Sequence, residues 1–153
     1  MLHELAQANI ARLRYRIDGP EMADFVEQLD FVNETAEASE GFVWRLQSPK
    51  GNAVDIRIFD DPGLLLNMSV WESVEALRRF TYLGAHASPL RDRHKWFEPP
   101  PPDRPTNVLW WVEQGRRPTV AEAEARFRLL WSRGPGPEAF TFRQVFDPPH
   151  DEP

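Results

Sequence analysis

Between Leu5 and Leu13 the apolar residues Ala6, Ala8 and Ile10 alternate with the amides Gln7 and Asn9, a period of two that predicts a strand with one apolar and one amide-bearing face. Leu64 to Trp71 repeats the pattern, with Leu64, Leu66, Met68 and Val70 on one side and Leu65, Asn67, Ser69 and Trp71 on the other. Asp18-Gly19-Pro20 breaks the chain after the first strand, and the proline suits a helix start because its missing N–H is not needed there. Met22, Phe25, Val26, Leu29, Val32 and Ala36 then recur at three- and four-residue steps, the stripe of an amphipathic helix that Gly41 terminates. Phe42 to Gln47 predicts a short strand with Phe42, Trp44 and Leu46 on one side. The turn cluster Ser48 to Asn52 follows, and Val54 to Phe59 is expected to continue a hairpin.

Ser73 can cap a helix whose Val74, Leu77, Phe80 and Thr81 face inward, ending near Gly84. A second helical pattern runs from Ser88-Pro89 through Leu90, Arg93, His94 and Phe97 until the prolines Pro99 to Pro102 stop it. Asn107 to Val112 reads as a strand apolar on both faces, a pattern found away from solvent. Thr119 and Glu122 have the spacing of a capping box, in which each side chain satisfies the other residue's N–H. They open a last helix with the stripe Val120, Ala123, Phe127, Leu130 and Trp131, which Gly134-Pro135 ends. Phe140 to Arg143 is either one more short strand or a packed tail.

The order strand, helix, strand, strand, helix, strand, then an added helix, predicts an α+β fold. It is a ferredoxin-like βαββαβ antiparallel sheet with an extra C-terminal helix, forming one domain over residues 1–146 with a mobile tail over 147–153. Both main helices are expected on one sheet face. The other face would then present Gln7, Asn9, Asn67, Ser69 and Trp71, a mixture suited to a half-dry cavity. Two copies closing these faces on each other would make a dimeric α+β barrel, so a homodimer is expected.

Composition narrows the class. The 153 residues fit one domain that buries about 70% of its unfolded surface. With 18 Lys and Arg against 24 Asp and Glu, the net charge of −6 argues against nucleic acid as a partner. No apolar run approaches the ~20 residues of a membrane span. With no cysteine there are no disulfides, and the chain reads as soluble and cytoplasmic, without membrane association. No phosphate loop, His-Glu-x-x-His or Gly-x-Ser-x-Gly pattern occurs, so neither nucleotide hydrolysis nor zinc proteolysis nor esterase chemistry has support.

Among the remaining residues His86 is the candidate base, because an unperturbed imidazole titrates near neutrality; it could equally fix the corner between two helices through a backbone carbonyl. His94 lies eight residues further on, a spacing that makes no metal pair on one helix face, so no metal site is expected. Asn9, Asn67 and Trp71 are the candidate substrate-binding lining, offering neutral hydrogen bonds in a water-poor space, although amides also bond to one another across strands. Arg45 would anchor a substrate carboxylate or enolate, or pair with an acidic neighbour at the dimer edge, the latter being favoured. Trp96 and Phe97 read as the hydrophobic end of a helix.

The segments Leu5-Ala-Gln-Ala-Asn-Ile-Ala-Arg-Leu, Gly41-Phe-Val-Trp-Arg-Leu, Asn67-Met-Ser-Val-Trp-Glu-Ser-Val-Glu-Ala-Leu, Ala85-His86, Arg93-x-x-Trp96-Phe97, Leu109-Trp-Trp-Val and Arg117-Pro-Thr-Val-Ala-Glu-Ala resemble a bacterial family known as a domain of unknown function. Pro89 departs from the uninterrupted helix that the family pattern leads one to expect. That family is similar in fold to the dimeric α+β-barrel proteins, which include the antibiotic-biosynthesis monooxygenases. The resemblance implies a cofactor-independent enzyme of secondary metabolism in which an aromatic substrate loses a proton and its anion reacts with oxygen, with no cofactor held. A non-catalytic module for a hydrophobic or aromatic small molecule, or a stress-related dimer, is the competing reading. Haem binding through His86, borrowed from other barrels of the superfamily, is the third.

Overall fold

The computed structural model describes residues 2–49, 51–83 and 87–150. Strand β1 (His3–Arg12) is the central strand, paired antiparallel on one side with β3 (Leu64–Trp71) and on the other with β4 (Asn107–Glu113). The short β2 (Phe42–Arg45) adds to the outer edge of β3, giving the order β2-β3-β1-β4. Helix α1 (Ala23–Glu37), preceded by a 3-10 turn at Pro20–Met22, links β1 to β2. Helices α2 (Val74–Leu83) and α3 (Ala87–Trp96) link β3 to β4, and α4 (Val120–Arg133) follows the sheet. This is the ferredoxin-like α+β arrangement that the sequence pattern predicts. Pro89 falls within the first turn of α3, where a missing N–H has no helical partner to lose. Gly41 adopts a φ of 85°, and a Cβ there would lie 2.5 Å from that of Ala76, so only glycine lets β2 start this close to α2.

Residues 54–59 do not form the expected hairpin strand. Ile58 and Asp61 make an isolated bridge, and Phe59 and Asp60 take positive φ values of 56° and 51°. Packing wins over ladder pairing: Ile58 is fully buried, and the Phe59 ring stacks on Trp131 of α4 at 5.5 Å. The Phe59 N–H donates to Glu124 Oε1 at 2.7 Å, so the departure from strand geometry leaves it satisfied. Phe140 pairs with Leu109 through two backbone bonds, and the segment that follows is a packed tail.

Coverage of the sheet differs from expectation in its orientation. The apolar face, carrying Ala6, Ala8, Leu66, Met68, Val70, Val108 and Trp110, packs against Ala123, Phe127 and Leu130 of α4 and against Ile58. The mixed face is covered by the other helices: Leu5 and Trp71 meet Ala36, Val74 and Leu77, while Ala11 and Leu65 meet Phe25, Trp96 and Phe97. The amides are therefore roofed by helices of their own chain. The expectation of a barrel closed by a second copy rested on an open amide face, and within one chain both faces are covered. The reason is α4, whose apolar stripe needs a partner surface and takes the more completely apolar side of the sheet.

Half of the expected capping box forms. Thr119 accepts from the Glu122 N–H at 3.1 Å, but the Glu122 carboxylate turns away to accept from Trp110 Nε1 and from both terminal nitrogens of Arg116, each at 2.7 Å. Burial pushes the Glu122 carboxyl up, but the bonds from Arg116 and Trp110 outweigh it and hold the pKa below the ordinary value. The charge thus stabilises the fold above the ordinary carboxyl range, and that contribution is lost as pH falls through the lowered pKa. Glu122→Gln, which keeps an acceptor for Trp110, is expected to flatten the acid limb of stability against pH in urea unfolding. Glu122→Leu deprives the fully buried Trp110 of its acceptor and is expected to cost about 1–3 kcal/mol at neutral pH.

Candidate functional site

The strand register places Gln7 between Ser69 of β3 and Leu109 of β4, and Asn9 between Asn67 and Asn107. Alternation turns all four polar residues of β1 and β3 to the helix-covered face, where they bond to one another. Gln7 Nε2 donates to Asn67 Oδ1 and Ser69 Oγ, both at 2.8 Å. Gln7 Oε1 accepts from Asn107 Nδ2 at 3.0 Å and from Asn9 Nδ2 at 3.4 Å. The Trp71 indole N–H donates to Ser69 Oγ at 2.9 Å. Both hydrogens and both lone pairs of the Gln7 amide are thereby used.

Above this strip lies a cavity of about 340 Å³ between the sheet and helices α1 to α3. Phe25, Leu29, Val32 and Ala36 of α1 line it on one side, Leu77 and Phe80 of α2 on another, and Phe142 of the C-terminal tail on a third. Two aromatic clusters hold the helices off the sheet. At one end Phe25 packs against Trp96 and Phe97, with ring centroids 5.4 and 5.1 Å apart; at the other Trp71 stacks on Phe80 at 5.1 Å and meets Phe42 edge-on at 5.5 Å.

Asn9, Arg45, Asn67 and Trp71, the substrate-binding candidates, all line this one cavity. Trp71 contributes its ring, since its N–H is already bonded to Ser69. Arg45 pairs with an acidic neighbour, but within its own chain. Its Nε donates to Glu37 Oε1 of the same chain at 2.7 Å, yet the residue also lines the cavity, with its Nη1 buried and unpartnered. His86 lies outside the described residues. His94 is exposed, and its backbone carbonyl accepts from Arg14 Nε at 2.9 Å. Sequence reasoning missed Asn33, a cavity-lining residue of α1 that is only 7% exposed. The signal was present: Asn33 is four residues after Leu29 and three before Ala36, so it is a polar residue inside the apolar stripe. Among the described residues no group of three or more His, Cys, Asp or Glu could hold a metal ion, and no helix is long and apolar enough to cross a membrane.

Fold and site together define an α+β protein with a cavity, partly open to solvent, whose floor is a hydrogen-bonded amide strip. The chain belongs to the family described as Domain of unknown function (DUF3291), which matches residues 4–153. Among solved structures it is similar to NE2512, a protein of unknown function from Nitrosomonas europaea, with 12% identity over 77% of this chain and 95% of that one and a TM-score of 0.47. It is also similar to PA3566 from Pseudomonas aeruginosa, with 13% identity over 76% of this chain and 98% of that one and a TM-score of 0.46. No curated protein matches the chain.

The different bond lengths within the strip predict unequal roles. Gln7→Leu strands the donors and acceptors around a residue only 4% exposed and is expected to lower unfolding free energy by about 1–3 kcal/mol. Asn9→Ala removes only contacts of 3.4 and 3.5 Å and is expected to stay within about 0.5 kcal/mol of wild type, both read from chemical denaturation.

Proposed function

We propose that this protein binds a predominantly apolar or aromatic small molecule in the cavity between the sheet and α1 to α3. The supporting observation is the cavity itself: a volume of about 340 Å³, partly open to solvent, walled by Phe25, Val32, Leu77 and Phe80 and floored by amide and hydroxyl groups. Such a combination of apolar walls and a few placed polar groups is what small-molecule sites share. Binding needs no second subunit, because the chain supplies all of these residues itself.

Trp71 in the wall provides a reporter. Titration with naphthalene-type probes is expected to quench or shift Trp fluorescence with one-to-one stoichiometry, and native mass spectrometry is expected to show the same ratio. Val32→Phe extends a wall side chain into the cavity, so it is expected to abolish binding while the thermal unfolding temperature is kept. Full affinity in that folded variant would put the ligand elsewhere and overturn the reading.

A second reading is favoured by the hydrogen-bond donors gathered at Asn67 and Ser69, which suit an oxyanion. A phenolic or enolic compound held there would lose a proton to a base, for which His86, outside the described residues, is the candidate from the sequence, and an activated CH2 of the anion would be oxidised by dioxygen to a carbonyl with release of water. Four electrons pass from substrate to oxygen, so no held cofactor is required. Oxygen uptake with anthrone-like compounds checks this. Equal product from wild type and from the His86→Ala, Asn67→Ala double variant would overturn it.

A further inference from the structure

We propose that the cavity's ligand is an organic carboxylate whose charged head sits against Arg45, Ser69 and Asn67; the inference rests on the cavity being a ligand site. The first ground is charge. Acidic residues outnumber basic ones 24 to 18 along the chain, yet the charged residues lining the cavity are Arg45 and Arg93, and its described lining holds no Asp or Glu. Arg93 is exposed, so the charge that counts is that of the largely buried Arg45, whose attraction for an anion is less screened than at the surface.

Unspent hydrogen bonds are the second ground. The Arg45 side chain is 12% exposed, and its Nη1 is buried without a partner although Nε is bonded to Glu37. Glu37 is itself 46% exposed, so solvent screens its charge and it only partly offsets that of Arg45. Arg45 stands directly opposite Ser69 in the ladder of β2 and β3, which puts both at the same level of the cavity floor. Ser69 Oγ accepts from Gln7 Nε2 and from Trp71 Nε1, so both lone pairs are filled and its own O–H is left to donate. Asn67, two residues along β3, gives its Oδ1 to Gln7 and keeps the hydrogens of Nδ2 free among the described residues.

Three donors gathered at one level, one of them on a guanidinium, favour a head group that accepts. A carboxylate does so with two oxygens and supplies the missing charge. A neutral alcohol accepts through one oxygen only and brings no charge to match that of Arg45. The rings of Trp71, Phe80 and Phe42 lie at the same end, so the carboxyl group is attached to an aromatic or similarly apolar body.

The test compares naphthoate with naphthylmethanol, which share a ring system and differ in the head group, by isothermal titration at neutral pH. Wild type is expected to favour naphthoate by about tenfold or more, the weight of one charge-assisted hydrogen bond. Arg45→Met is expected to bring naphthoate down to the affinity of the alcohol and leave the alcohol unchanged. Glu37→Gln, a change at a half-exposed carboxylate that frees Arg45 of its competing anion, is expected to tighten naphthoate severalfold and not the alcohol. Equal affinities in wild type, a preference that survives in folded Arg45→Met, or no gain in Glu37→Gln would overturn the carboxylate site while the cavity reading stands. If neither probe binds wild type, the cavity reading falls, and this inference with it.

Discussion

The amide of Gln7 is the bond on which the site depends. A primary amide shut away from water must find partners for two hydrogens and two lone pairs, and Gln7 finds all of them in side chains of its own and the two flanking strands. That arrangement ties β3 and β4 to β1 at one level. It also decides what the neighbours have left over: because Gln7 occupies Asn67 Oδ1 and one acceptor position of Ser69 Oγ, the free groups of those residues are donors. The polarity of the cavity floor is thus a consequence of sheet cohesion, which also holds these groups in place.

The cavity exists because the helices over this face are supported at both ends and not in the middle. Phe25, Trp96 and Phe97 fill the space near Ala11, while Trp71, Phe80 and Phe42 fill it near Leu5. Between them α1 presents residues of modest size, including Val32 and Asn33, over a strip of short polar side chains. The opposite face shows the contrary solution. There the small Ala6 and Ala8 of β1 are filled in by Met68, Trp110 and Phe127, and the Phe59 turn closes the remaining edge of α4. One sheet therefore carries a packed core on one side and a chamber on the other.

Element boundaries were legible along most of the chain, since period-two and helical patterns are local properties. The strand at Leu64 to Trp71, the stripe of α1 and the N-cap at Thr119 all stand where the residues put them. Local pattern failed at Val54 to Phe59, whose strand-like composition is overridden by contacts of Ile58 and Phe59 with residues far away in the chain. It failed in a different way at Glu122, where a nearby backbone N–H lost to the Trp110 indole and the Arg116 guanidinium. Asn33 was hidden because an amphipathic stripe tolerates an isolated polar residue, and only a cavity facing it makes that residue informative.

The amino-acid order alone determined that Asn9, Asn67, Ser69 and Trp71 share a sheet face, because side chains alternate along any strand whatever surrounds it. It also determined that this face is mixed and its opposite apolar. Which helices cover which face was decided by tertiary structure, for a stripe of apolar residues specifies that burial is needed and not against what. Only when α4 had taken the apolar side were α1 to α3 left to roof the amides, and that roof builds the chamber from residues of one chain.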